Sequence, residues 1–141
     1  MSMTEFLHSD TGFQDGGRVL EAGCGVGAQT ITLASTSPKA LITSIDMSEA
    51  SVEETRRVVR AAEVGNVVVL QADIFDLPFP EGSFDHVFVC FVLEHLAEPI
   101  AALRALKRVL KPGGTITVIE GDHGSAYFYP QSEYANRAIP C

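Results

Sequence analysis

The stretch RVLEAGCGVGAQT, from Arg18 to Thr30, decides the fold of this 141-residue chain. Its apolar start suits a buried parallel strand, and glycines then follow at alternate positions, Gly23, Gly25 and Gly27. This spacing lets the backbone turn tightly and approach a ligand, and the residues after Gly27 can open a helix whose N-terminus faces that ligand. The stretch therefore predicts a loop that binds a nucleotide cofactor.

The length indicates a single domain over residues 1–141, with its core in 18–120 and an incomplete C-terminal segment in 121–141. Apolar residues make up 46% of the chain. No apolar run approaches the roughly 20 residues of a membrane helix, so no membrane association is expected. The first residues lack a basic stretch followed by an apolar core, which predicts a cytoplasmic protein.

Charge and cysteine content argue against several functions. The formal net charge of −8 makes nucleic acid an unfavourable partner. The three cysteines, Cys24, Cys90 and Cys141, are odd in number and widely spaced, which favours reduced thiols over a disulfide framework or a zinc cluster. We therefore predict no metal site.

Strand-like and helical patterns alternate along the chain. The apolar stretches are Val19–Ala22, Leu41–Ile45, Val67–Leu70, Phe84–Phe91 and Thr115–Glu120. Five strands with helical segments between them predict βαβ units, and hence an α/β domain with a doubly wound, mainly parallel sheet. Prolines and a glycine between Ala72 and Ser83 break any regular helix there and predict a loop over the ligand edge.

Two of the helices have clear boundaries. Ser48 or Ser51 can cap the helix after the second strand, and Ser51 with Glu54 forms a possible capping box. The other helix runs from about Pro99 to Leu110 with one apolar face. The sequence Lys-Pro-Gly-Gly at 111–114 predicts that this helix stops and turns into the fifth strand.

Acidic residues mark four strand ends, namely Glu21, Asp46, Asp73 and Glu120. Ligands of open α/β sheets bind beyond the carboxyl ends of the strands, so these side chains are candidates for binding. Asp46 can accept both hydroxyls of a ribose. Asp73 can accept from an adenine amino group, with Ile74 or Met47 packed on the ring, and Glu21 lies where a cationic amino acid moiety could be held.

Simpler interpretations exist for each feature. The glycines can form only a tight turn, Asp46 can favour a helix N-terminus, and Asp73 can cap a turn. The pattern Gly23-x-Gly25-x-x-Ala28 also fits a dinucleotide fingerprint, so an NAD(P)-dependent oxidoreductase is an alternative. That class needs a proton donor such as a Tyr-x-x-x-Lys pair or a metal, and neither follows the fourth strand.

Five elements in order distinguish these alternatives: E-x-G-C-G-x-G from Glu21, Asp46, QADIFDLPF, FDHVFVCFVLEHL and LKRVLKPGG. Together they resemble the class I S-adenosylmethionine-dependent methyltransferases over about residues 18–120. The similarity is greatest to the small-molecule group that includes quinone-biosynthesis enzymes, methyltransferase type 11. This resemblance implies a Rossmann-like fold with helices on both faces and strand order 3-2-1-4-5. It also implies that the N-terminal helix and the last strands of the seven-stranded family fold are missing.

The same resemblance assigns roles to individual residues. It implies contacts with the methionine moiety of S-adenosylmethionine from Glu21, Gly23, Gly25 and Gly27. Contacts with the rest of the cofactor are implied for Asp46 and Met47 at ribose and adenine, Asp73 and Ile74 at adenine, and Phe91 near the methionine and sulfonium end. The implied function is methyl transfer to a small-molecule acceptor.

Catalysis beyond the cofactor is predicted at the end of the fifth strand. Glu120-Gly-Asp-His123 places carboxylates and an imidazole beside the expected transfer site, so His123 or Glu120 could take a proton from the acceptor. His123 could equally be a polar loop residue. The short C-terminal segment also leaves open a non-catalytic cofactor-binding module, in which an exposed sheet edge would favour a homo-oligomer.

Overall fold

A computed structural model describes residues 12–13 and 15–121. The strands in these residues are β1 (Gly17–Ala22), β2 (Ala40–Asp46), β3 (Val67–Gln71), β4 (Phe84–Cys90) and β5 (Leu110–Ile119). The α-helices are α1 (Ala28–Thr36), α2 (Glu49–Ala61) and α3 (Pro99–Val109), and a 3-10 turn spans Leu93–His95. No helix of this part of the chain is long and apolar enough to cross a membrane.

The five strands form one parallel sheet in the order β3-β2-β1-β4-β5, which confirms the predicted topology. The strand order reverses between β1 and β4. At such a point the connections that follow the two neighbouring strands run to opposite faces of the sheet. The carboxyl ends of β1 and β2, which lie next to each other, therefore meet the end of β4 at a single edge. The crossover at 72–83 contains no helix, as predicted.

Helices cover both faces of the sheet, and the alternation of side chains along each strand explains how. One face buries Leu20, Ile45 and Val87 with Leu106 of α3. The opposite face buries Val19, Ile42 and Phe88 with Leu33 of α1. Successive strand residues point to opposite faces, so near-continuous apolar strands are needed to fill two cores.

Strands β4 and β5 differ from the prediction at their ends. Strand β4 ends at Cys90 because Phe91 has a φ of 56°, which interrupts the extended backbone. Strand β5 begins at Leu110, so residues 111–114 are a bulge inside the strand and not a turn before it. Gly114 passes so close to β4 that a Cβ there would lie 2.7 Å from the Asp85 carbonyl oxygen.

Helix α2 is capped by Ser48, whose Oγ accepts from the Ser51 amide at 3.3 Å. The predicted capping box between Ser51 and Glu54 is wrong, because Ser51 is already the third residue of the helix and its amide donates to Ser48. The Glu54 carboxylate accepts from Arg57 Nε at 3.0 Å, one turn along the exposed helix face.

Replacing Ser48 by alanine should lower the free energy of unfolding by about 1 kcal/mol, because the first turn of α2 loses its side-chain acceptor. Ser51→Ala is the matched control and should stay within about 0.5 kcal/mol of the parent. Urea denaturation followed by circular dichroism measures both. Equal losses in the two variants would contradict the assignment of the cap.

Candidate functional site

The glycine loop after β1 is fastened to the end of β2. The amides of Gly23 and Cys24 donate to the Ile45 carbonyl at 2.8 and 2.9 Å. The Gly25 amide donates to Asp46 Oδ2 at 3.0 Å. Gly23 has a φ of 83°, and a Cβ there would overlap the Cγ2 methyl of Val92. Any other residue at this position would have to displace Val92 and adopt a backbone conformation that favours glycine.

Helix α1 opens directly after this loop, as predicted. Its N-cap is Gly27 in the left-handed region, with φ 86°, and no side chain caps the first turn. The Thr55 hydroxyl on α2 donates to the Gly25 carbonyl at 2.7 Å. The loop is therefore held between β2 and α2.

A cavity of about 350 Å³ opens at this edge of the sheet. It brings together five of the predicted binding residues, Gly23, Asp46, Met47, Asp73 and Ile74. Its other lining residues are apolar: Ile45, Ala72, Phe75, Val92 and Leu96. An apolar pocket with two carboxylates is suited to a flat ligand that carries hydroxyl or amino donors.

The two carboxylates of the cavity are already oriented by the backbone. Asp46 accepts from the amides of Gly25 and Ser48, the latter at 2.9 Å, and thus favours the start of α2 as well. Asp73 Oδ1 accepts from the Phe75 amide at 2.9 Å and caps that turn. Each carboxylate oxygen has a second lone pair, so these local bonds leave acceptor capacity for a ligand.

Large apolar side chains stand at the mouth of the cavity. Met47 is 69% exposed and Phe75 is 48% exposed, although both are hydrophobic. Ile74 packs against the core beneath them. Exposed apolar groups around a concave site are typical of binding surfaces, since a ligand would remove them from water.

Glu21 lies beneath the glycine loop and does not line the cavity. The side chain is 2% exposed, and its Oε2 accepts from the Thr30 and Ser44 hydroxyls at 2.7 and 2.5 Å. Burial raises the pKa of this carboxyl, and the two hydroxyls partly oppose that effect. The arrangement ties β1, α1 and β2 together around the loop.

The thiol of Cys24 is not activated. Burial raises its pKa to about 11, with a lowering contribution from the Thr55 hydroxyl and raising contributions from Glu21 and Asp46. Burial likewise raises the pKa of Cys90 to about 11. Because the thiolate is the nucleophile, both cysteines serve as small buried side chains.

The remaining predicted residues lie around β4 and β5. Phe91 is 39% exposed and is not among the residues that line the cavity. The Glu120 carboxylate accepts from the amides of Leu93 and Glu94, at 3.0 and 3.2 Å. His123 lies outside the described residues. The catalytic roles of Glu120 and His123 and the binding role of Phe91 stay predictions.

Sequence reasoning missed five lining residues, Ile45, Ala72, Phe75, Val92 and Leu96. Phe75 directly follows Ile74, so the apolar pair after Asp73 was an available signal. Val92 and Leu96 carry no such signal, because their orientation depends on where β4 ends and on the 3-10 turn that follows it.

The parallel sheet with this order, the glycine loop after β1 and the acid after β2 define a Rossmann-like nucleotide-cofactor-binding domain. Comparison with protein-family models then identifies the family within this class. The model of the methyltransferase domain matches residues 20–118, and the chain belongs to this family.

Similar proteins support the same family. The chain is 35% identical over 120 residues to an uncharacterized methyltransferase of Schizosaccharomyces pombe, covering 81% of this chain and 43% of that protein. It is 36% identical over 112 residues to demethylmenaquinone methyltransferase of Staphylococcus aureus, covering 79% and 46%. The chain thus spans less than half the length of these curated relatives.

Solved structures show the same fold. A SAM-dependent methyltransferase from Aquifex aeolicus matches with a TM-score of 0.79 and 27% identity, over 97% of this chain and 76% of that one. The cyclase SpnF matches with a TM-score of 0.73 and 31% identity, over 84% and 43%. A protein with a different reaction thus shares the fold.

Proposed function

We propose that this domain binds S-adenosylmethionine and transfers its methyl group to a small-molecule acceptor. The observation that carries the proposal is the position of Asp46, which joins the glycine loop to the cavity at the end of β2. A carboxylate there suits the two hydroxyls of a ribose. Membership of the methyltransferase domain family supports the choice of cofactor over NAD(P).

We assign each lining residue to one part of the cofactor. Asp46 would accept from the ribose, and Asp73 from the adenine amino group, with Met47, Ile74 and Phe75 packed around the ring. We assign the region of the methionine moiety to Gly23, Gly25, Gly27 and Phe91. Glu21 would contribute its charge from beneath the glycine loop, since its side chain is buried there.

When bound, S-adenosylmethionine supplies a methyl group activated by its sulfonium. The protein then needs to hold the acceptor in line and exclude water, so positioning and desolvation provide most of the catalysis. An acceptor hydroxyl or amine would also need to lose a proton. We assign that task to His123, since an imidazole titrates near neutral pH.

The acceptor is proposed to be a small molecule. The similarity to a demethylmenaquinone methyltransferase supports this class. The likeness to the cyclase SpnF favours a second possibility, a domain of this fold that performs another reaction, because one fold can support several activities.

Isothermal titration calorimetry tests the cofactor. The chain should bind S-adenosylhomocysteine, the product form of the cofactor, and should not bind NADH under the same conditions. Binding of NADH alone would replace the assignment with an oxidoreductase. Binding of neither ligand would favour a non-catalytic module.

The proposal also includes self-association through β5. Within the described residues the outer edge of β5 has no strand beside it, and its Ile116 and Val118 are 40% and 41% exposed. Such an edge favours pairing with a second copy of the chain. Light scattering that gives the monomer mass would contradict this part. The cytoplasmic location stays a prediction.

A further inference from the structure

Glu120 directly follows β5, and its carboxylate contacts the backbone amides of the turn that follows β4. Its Oε1 accepts from the amides of Val92 and Leu93 at 3.3 and 3.0 Å, and its Oε2 accepts from the Glu94 amide at 3.2 Å. The first amides of a helical turn lack acceptors within the turn, and a carboxylate can satisfy them. One side chain therefore supplies the acceptors for the start of the 3-10 turn.

The residues on either side of this turn form one wall of the cavity. Val92 and Leu96 line the cavity, and Val92 occupies the space that a side chain on Gly23 would need. The position of Val92 thus decides how close the wall comes to the glycine loop.

The backbone just before the turn needs support. Phe91 has a φ of 56°, which is unfavourable for a residue other than glycine by roughly 1–3 kcal/mol. The Phe91 amide donates to the Ile119 carbonyl at 2.7 Å. Two residues at the end of β5 therefore accept hydrogen bonds from consecutive amides after β4: Ile119 from residue 91, and Glu120 from residues 92–94.

We propose that Glu120 is a positioning residue of the cofactor cavity, which acts through the amides of residues 92–94 to set the place of Val92. This inference rests on the proposed function. It differs from the predicted role as a proton acceptor, because here the carboxylate acts through the three backbone amides that donate to it and takes up no proton.

Calorimetric titration of S-adenosylhomocysteine into Glu120→Ala and Glu120→Gln tests the proposal. The alanine variant should bind at least about tenfold more weakly, since the wall loses three charge-assisted hydrogen bonds. The glutamine variant keeps one carbonyl oxygen but turns an NH₂ group toward the remaining amides. Its affinity should therefore lie between those of the alanine variant and the parent.

Asp85→Ala is the matched control. The Asp85 carboxylate also accepts from a backbone amide, that of Arg18 at 2.8 Å, and from Lys111 Nζ at 3.2 Å, but at the opposite end of the sheet. Its loss should lower the melting temperature and leave the dissociation constant within about twofold of the parent.

The outcomes separate the two proposals. If the parent binds S-adenosylhomocysteine and Glu120→Ala binds equally well, the positioning role is overturned while the proposed function stands. Equal weakening in Glu120→Ala and Asp85→Ala would also overturn it, because general destabilisation would then explain the loss. If the parent does not bind S-adenosylhomocysteine, the proposed function fails and the positioning role with it.

Discussion

Asp46→Ala is expected to weaken binding of S-adenosylhomocysteine by about 30-fold to 1,000-fold, equivalent to about 2–4 kcal/mol. The substitution removes the acceptor for the ligand and also the acceptor for the amides of Gly25 and Ser48. The loop and the start of α2 would then lose a shared acceptor. Calorimetry on the purified variant measures the change.

Two further variants identify the cause of that loss. Asp46→Asn keeps the shape and one carbonyl oxygen, so it should weaken binding less than alanine does. Asp76→Ala removes the same charge from an exposed side chain that does not line the cavity, and it should bind like the parent. An unchanged affinity in Asp46→Ala would contradict the binding site proposed here.

Gly23→Ala is expected to lower the free energy of unfolding by about 2–5 kcal/mol and to weaken ligand binding as well. Overpacking contributes about 1–3 kcal/mol, because the new methyl group would overlap Val92. The left-handed backbone, with φ 83°, adds about 1–2 kcal/mol. Chemical denaturation measures the loss against the total stability of the domain.

Two glycine variants separate these contributions. Gly113 has a φ of 80° but open space around it, so Gly113→Ala should show the cost of the backbone alone. Gly65 has neither constraint, so its alanine variant should match the parent. The second substitution Val92→Ala should recover part of the loss in Gly23→Ala. A Gly23→Ala loss no larger than that of Gly113→Ala would contradict the overlap with Val92.

The residues that share the cavity with Asp46 were predictable because they follow parallel strands. Strand β2 ends at Asp46, and Asp73 follows β3 closely, so the topology alone brings them to one edge. The order of the strands came from the resemblance to the class I methyltransferases, since the strand and helix pattern alone predicts a parallel sheet without its order. Neither inference required knowledge of side-chain packing.

The rest depended on contacts between distant parts of the chain. Strand β4 ends at Cys90, and of the two residues that follow it, Val92 lines the cavity, which the sequence did not indicate. The binding role of Phe91 stays a prediction. A shift of one residue at a strand end changes which side chain faces a site. The Glu120 carboxylate accepts hydrogen bonds from a turn more than 20 residues earlier in the sequence, and no local sequence pattern predicts this contact.

The attachment of the glycine loop to β2 has a consequence for the thermodynamics of binding. The bonds from Gly23 and Cys24 to Ile45, and from Gly25 to Asp46, join protein groups to one another, so folding itself forms them. The loss of loop entropy therefore occurs when the domain folds and does not oppose complex formation. A preorganised loop of this kind should give binding with little change in backbone order, and the apolar surface at the mouth should dominate the heat-capacity change.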